Sequence, residues 1–158
     1  MSVERVKNYL KKWNLQDRVL EFEVSSATVE LAAQAVGCEP ARIAKTMSFL
    51  VGTEPVLIVM AGDVKTDNRK FKDRFHTKAS MIRSEEVEHY IGHPIGGVCP
   101  FDVKEDVAVY LDESLKRFDK VYPAAGSASS AVGLTPAELE VTSECREWVD
   151  VSKPYEDR

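Results

Sequence analysis

The sequence predicts an α+β fold: a single domain whose central mixed sheet, strongly twisted (barrel-like) and of about six or seven strands, is flanked by helices. Three observations predict it. Short β-rich runs and amphipathic helical stretches follow one another without a regular β-α-β alternation, which argues against a doubly wound sheet. Two of the runs, Thr46–Val51 and Val56–Met60, are separated by Gly52-Thr53-Glu54-Pro55 and read as an antiparallel hairpin at the centre of the sheet. A chain of 158 residues, 44% apolar and 30% charged, fits one globular domain with a real core.

The elements follow in order. Val3, Val6, Leu10 and Trp13 recur at helical spacing and predict a helix over 2–13. Val19–Val24 alternates and predicts a strand. Thr28 is placed to cap a helix whose apolar face is Val29, Ala32, Ala33 and Val36, with Gly37 as its stop. Pro40 opens a helical turn that leads to Lys45 and the hairpin. Residues 67–75 predict a helix and Ala79–Ile82 a short strand; Ser84 then caps a helix to Ile91, ended by Gly92. Val107–Leu111, Lys120–Ala124, Ala131–Leu134 and Trp148–Val151 read as strands, with a short helix at Glu113–Phe118. Thr135-Pro136-Ala137-Glu138 is a strong helix start: threonine caps, proline takes the first position and glutamate completes the capping box.

Composition removes several function classes. The most apolar runs, Val56–Ala61 and Met47–Val51, are far too short to span a bilayer, and the charged N-terminal residues suit neither a signal nor a transit peptide. No membrane role is expected. Cys38, Cys99 and Cys145 are odd in number and widely spaced, with no Cys/His cluster. Reduced thiols in the cytoplasm are the simplest reading, and neither a metal site nor a cofactor is expected. Net charge is −5, yet Lys65 to Lys78 holds six cations (Lys65, Arg69, Lys70, Lys72, Arg74, Lys78) against Asp67 and Asp73. That stripe is either a solvated helix face or a local phosphate contact; it does not suit wholesale wrapping of DNA.

The stretch Ile95-Gly96-Gly97-Val98-Cys99-Pro100-Phe101 is the most informative in the chain. Adjacent glycines permit unusual dihedrals and close ligand approach, and Pro100 pushes Cys99 toward an extended conformation. The reading is a stiff loop whose Gly97, Val98 and Cys99 N–H groups are free for a carbonyl or anion, or else a plain turn between strands. Lys45 at the head of an apolar strand is either a snorkelling surface residue or a fixed cation for phosphate or alkoxide. His76, His89 and His93 pair with no Ser or Cys motif, and no Gly-x-Ser-x-Gly elbow exists. Cys99 lacks a sequence-local activator and reads as a residue chosen for size.

Together, Ala44-Lys45-Thr46, Ala61-Gly62-Asp63 with Lys70-Phe71, the Gly96–Pro100 loop, Ala125-Gly126-Ser127 and Leu134-Thr135-Pro136-Ala137-Glu138-Leu139 resemble the YbaK/EbsC-type family of aminoacyl-tRNA deacylases. This domain also occurs as the editing insertion of bacterial prolyl-tRNA synthetases. The resemblance covers roughly residues 20–152 and treats the whole chain, 1–158, as one editing domain. It implies a trans-editing hydrolase that cleaves the ester of a mischarged tRNA. Lys45 and the amides of Gly97, Val98 and Cys99 would carry catalysis. Thr46, Asp63, Gly96, Pro100, Gly126 and Ser127 would bind substrate, and Lys65, Arg69, Lys70 and Arg74 would contact the nucleic acid. The implied partners are the acceptor end of an aminoacyl-tRNA and, in second place, prolyl-tRNA synthetase. Cys99 stands where the family has Ser, Thr or another small residue, and Gly126–Ser130 lacks the histidine of alanine-clearing members. The resemblance therefore leans to the Cys-tRNA(Pro) type. A non-catalytic module that binds aminoacyl-adenosine, tRNA or a synthetase is the alternative.

Overall fold

The computed structural model describes residues 2–25 and 28–155. Its centre is a five-stranded mixed sheet, curled into a half-barrel, of order β6 (Tyr122–Pro123), β2 (Ile43–Val51), β3 (Glu54–Ala61), β5 (Ala108–Asp112) and β8 (Glu147–Val149). β2 and β3 pair antiparallel, and the other three pairings are parallel. Two antiparallel ribbons extend the half-barrel: β1 (Val19–Glu21) with β7 (Ser130–Val132), and β4 (Val64–Thr66) with β9 (Ser152–Pro154). Five helices flank it: α1 (Ser2–Leu10), α2 (Val29–Val36), α3 (Asn68–Phe75), α4 (Val87–Ile91) and α5 (Pro136–Ser143).

The hairpin forms as its sequence demands, with a tighter turn. Val51 pairs with Glu54, so only Gly52 and Thr53 lie between the strands, and Gly52 takes a φ of 64°. Pro55 falls inside β3, near its start, where a missing N–H is tolerated. β3 runs between β2 and β5, and its residues from Val56 to Ala61 are all buried. That is why it reads as an unbroken apolar run rather than an alternating one. β2 begins at Ile43, so Lys45 is inside the strand and pairs with Met60. Pleating puts Ala44, Thr46 and Ser48 on one face and Lys45, Met47 and Phe49 on the other. Phe49 packs on Phe71 of α3 with ring centroids 4.9 Å apart.

Several boundaries move for local reasons. The N-terminal helix ends at Leu10 and tightens into a 3-10 turn, Lys11–Trp13. The expected strand at Ala79–Ile82 is a single bridge, Phe49 to Met81, with Leu50 N–H on Ser80 O and Ile82 N–H on Ser48 O. Ser84 does not cap a helix: a 3-10 turn starts there and α4 has no side-chain cap. The capping box of α5 is present: Thr135 Oγ1 accepts from Glu138 N–H at 3.1 Å, and Glu138 accepts from Thr135 N–H at 2.9 Å. The β4–β9 ribbon had no sequence signal, since its two three-residue strands are too short for periodicity. It is held from below, where buried Asp112 accepts from Val151 N–H at 2.9 Å and from the Ser152 hydroxyl at 2.6 Å.

Candidate functional site

A cavity of about 350 Å³ opens between β2, α2, the glycine loop and the loop before β7. Ala44, Thr46 and Ser48 form its floor, Val29 and Ala32 one side, Ile82 and Val87 another. Ile95, Gly96 and Val98 line it from the glycine loop, and Tyr122, Ser130 and Ala131 from β6 and β7. Among the described residues lining it, Lys45 is the one charged residue, its side chain leaving from the face of β2 opposite Ala44, Thr46 and Ser48; carboxylates, thiols and imidazoles are absent from the wall. The Thr46 hydroxyl is buried there without a hydrogen-bond partner.

The two small-residue loops interlock. A Cβ on Gly97 would lie 2.6 Å from Gly126 O and 2.8 Å from Ser127 Cα, so only glycine fits. Gly96, at φ 88°, faces Ala128 in the same way, 3.1 Å from its Cβ. The Gly126–Ser130 segment is fixed by Ser130, whose Oγ accepts from Ala125 N–H at 3.2 Å and Ser127 N–H at 3.3 Å. Gly126 and Ser127 therefore support the glycine loop from behind and do not reach the cavity wall.

Within the loop, the three predicted donors differ. Gly97 N–H closes a turn onto Pro94 O at 3.0 Å, so it is not free. Among the described residues, Val98 and Cys99 N–H have no backbone acceptor, and of these two residues only Val98 lines the cavity. Cys99 and Pro100 are buried behind it. The Cys99 sulfur sits in the core, 3.6 Å from His93 Nε2 and 3.9 Å from Phe101 O. Burial pushes its thiol up to about 12, so it is not a thiolate at neutral pH. His93 Nε2 lies 2.6 Å from Phe101 O, and burial holds this imidazole below its ordinary range. Its Nδ1 is buried without a partner.

Lys45 spans two regions. It contributes to the cavity wall, while its ammonium donates to Val64 O and, at 3.2 Å, to the Tyr155 hydroxyl. An ammonium has three donors, so one remains. Asp63 is engaged elsewhere, in a bidentate pair with Arg117 at 2.6 and 3.0 Å. That guanidinium, with a smaller contribution from Lys45, holds the carboxyl below the usual carboxylate range.

The basic stripe is divided. Lys70 donates to Asp150 at 3.0 Å and to Ser152 O at 2.9 Å. Arg74 pairs with Glu147 and stacks over Phe75 and Tyr110, 4.9 and 5.4 Å from their centroids. Arg69 is exposed on α3, and Lys65 lies on β4 beside Tyr155. Ser48, Tyr122 and Ser130 line the cavity and were not foreseen. Ser48 was findable, two residues beyond Thr46 on the same strand face; Tyr122 and Ser130 come from distant segments with no shared motif.

Comparison with known proteins adds four results. A family model described as the aminoacyl-tRNA editing domain matches residues 23–141. The uncharacterized protein YwhH of Bacillus subtilis (strain 168) is 50% identical over 157 residues, 99% of this chain and 100% of that one. EbsC of Enterococcus faecalis (strain ATCC 700802 / V583), provisionally designated a Cys-tRNA(Pro)/Cys-tRNA(Cys) deacylase, is 30% identical over 115 residues, 71% of this chain and 70% of that one. A crystal structure provisionally described as a trans-editing enzyme for prolyl tRNA synthetase superposes with a TM-score of 0.87 and 29% identity, covering 96% and 97% of the two chains.

Proposed function

The chain belongs to the aminoacyl-tRNA editing domain family, and from that membership we propose that it is a trans-acting aminoacyl-tRNA deacylase, hydrolysing the ester of a mischarged tRNA in the cytoplasm. The observation that carries this reading is the character of the cavity wall: one charged residue, Lys45, and a glycine-loop amide, with hydroxyls but no carboxylate, thiol or imidazole among the described residues. An aminoacyl ester is already activated, so positioning and oxyanion stabilisation suffice. Correct placement of two reacting groups is worth several kcal/mol, roughly 7–11 in the best-oriented cases. One well-aimed amide lowers the barrier by about 3–4 kcal/mol.

In this reading the acyl group enters the cavity with its carbonyl oxygen toward Val98 N–H, the loop amide that has neither an internal acceptor nor a place behind the wall. Water attacks the carbonyl carbon and the ester C–O bond to the ribose breaks; the water's proton passes through a group on the substrate itself (the vicinal ribose hydroxyl or, for cysteine, its thiol) to the departing ribose oxygen, which leaves as a hydroxyl. The remaining donor of Lys45 holds the terminal adenosine. The Thr46 hydroxyl, unpartnered in the wall, is placed to meet the amino-acid end.

Substrate choice rests on the far wall. Ser130 and Ala131 line it, and the Gly126–Ser130 segment that packs behind the glycine loop holds only small residues. That suits a small side chain recognised by hydroxyls, and with the designation of the EbsC relative it supports Cys-tRNA(Pro) as the preferred substrate and prolyl-tRNA synthetase as a partner.

The test is a deacylation panel with Cys-, Ala- and Ser-charged tRNA(Pro), run on wild type and Lys45→Ala. Cys-tRNA(Pro) should disappear fastest, and a folded Lys45→Ala protein should lose at least tenfold in rate. If no charged tRNA is consumed faster than in buffer, while a non-hydrolysable aminoacyl-adenosine analogue still binds, the chain is a binding module. Near-wild-type turnover by Lys45→Ala would remove Lys45 from the site.

A further inference from the structure

The ribbon β4–β9 carries groups that the cavity does not use. Its register sets Lys65 directly opposite Lys153. Like charges opposed across paired strands repel, and this register gathers two ammonium-bearing residues on one ribbon. The residue after the ribbon, Tyr155, is 38% exposed. Its ring centroid lies 5.2 Å from Lys45 Nζ and 5.9 Å from Lys65 Nζ, and its hydroxyl accepts from Lys45 at 3.2 Å.

This cluster is rigidly mounted. Asp112 grips Val151 and Ser152 from the core, Asp67 N–H donates to Val151 O at 2.8 Å, and Lys70 holds Ser152 O. The neighbouring carboxylate, Asp67, caps α3 by accepting from Arg69 and Lys70 N–H at 3.0 and 3.1 Å. Those amide bonds, assisted by Lys153 and Lys70, hold it below the usual carboxylate range. Its negative charge is thus directed at the helix terminus.

An exposed aromatic face bordered by ammonium groups is the chemistry that single-stranded nucleic acid requires: a base stacks on the ring and phosphates meet the cations. Lys45 links the cluster to the cavity: the residue lines the cavity, and its ammonium donates to the Tyr155 hydroxyl. On the reading that the ligand is a charged tRNA, we propose that Tyr155, Lys65 and Lys153 form the platform for the single-stranded 3′ end of the RNA, the segment between acceptor stem and ester.

The test uses the full chain and an uncharged, 5′-fluorescein-labelled acceptor minihelix ending in single-stranded CCA, with affinity read by fluorescence anisotropy across a salt series. Hydrolysis is not read, so failure of the deacylase reading would appear in the ester assay and not here. Tyr155→Leu should weaken binding at least about fivefold, the low end for loss of one stacked base, and Tyr155→Trp should retain it. Lys65→Glu with Lys153→Glu should reduce the log–log salt slope by about 1.4, two single-strand phosphates. The platform is overturned if Tyr155→Leu binds within twofold of wild type, if Tyr155→Trp loses as much as Tyr155→Leu, or if a blunt duplex lacking the CCA end binds equally well. Binding of an acidic peptide as tightly as the minihelix would also overturn it. Should Tyr155→Leu fail the thermal-melt check for folding, the lysine pair decides alone, and an unchanged salt slope rejects the proposal.

Discussion

The glycine loop and helix α3 are the two segments whose sequences stand out most, and the fold treats them in opposite ways. The loop is built from residues with almost no side-chain chemistry, yet it leaves the Val98 amide without a backbone acceptor among the described residues, beside a cavity. Helix α3 is the most highly charged segment, yet two of its cations are tied into the protein itself, Lys70 to Asp150 and Ser152, and Arg74 to Glu147. Polar groups without partners mark where a ligand is expected. Polar groups already satisfied hold the fold, however strong their charge. On that criterion the proposed site takes in the loop, while two cations of α3 tie that helix to β8 and β9.

The largest effect should come from the loop. Gly97→Ala places a Cβ 2.6 Å from Gly126 O and 2.7 Å from its carbonyl carbon, contacts that backbone cannot relieve by rotating a side chain. The loop must lift off the 126–130 segment, carrying Val98 N–H with it. Overpacking of this kind costs about 1–3 kcal/mol of stability. Misplacing one oxyanion donor costs about 10²–10³ in kcat. The expected outcome is therefore a fall in melting temperature together with a roughly hundredfold loss of kcat per folded molecule. If only stability falls, the loop is a plain turn and the contrast with α3 collapses.

The helix should answer differently. Lys70→Glu with Arg74→Glu turns two ion pairs into two repulsions. Both side chains are well over a third exposed, so each pair contributes only about 0–1 kcal/mol. A combined loss of about 1–2 kcal/mol by urea unfolding is expected, with the Michaelis constant for charged tRNA changed by less than about threefold. A tenfold rise in that constant at unchanged stability would mean that α3, and not the ribbon, meets the RNA.

What the sequence makes legible follows the same division. The hairpin, the α5 capping box and the glycine loop are local, each written in a few consecutive residues whose backbone preferences agree with the fold. The loop's partner contacts are not local. That Gly97 needs Gly126 behind it and that Lys45 reaches Tyr155 depend on segments far apart in the chain. A charge run is ambiguous for the same reason. The partners that neutralise Lys70 and Arg74 lie at 150 and 147, beyond any sequence window. The β4–β9 ribbon escapes notice because three-residue strands carry no period, and the groups that anchor it, Asp112, Lys70 and the Asp67 amide, lie outside its two strands.

The smallest effect should come from the one loop residue that looks most reactive. Cys99 contributes an amide to the loop and a sulfur to the core, and these are separable. Cys99→Ala keeps the amide and removes only the sulfur. The lost volume is small, and the large-to-small penalty should stay near 1 kcal/mol. Burial pushes the thiol up to about 12, so at pH 8 almost none is thiolate. Cys38 and Cys145 are only partly buried. Iodoacetamide at pH 8 should therefore modify Cys38 and Cys145 well before Cys99, which should react only as fast as the loop opens; peptide mass spectrometry gives the order. Gly97→Ala should speed Cys99 labelling, because it lifts the loop that covers the sulfur. Deacylation by Cys99→Ala should remain within about threefold of wild type. A loss of a hundredfold or more would place the sulfur itself in the reaction and make the loop a nucleophile's mount rather than a frame for an amide.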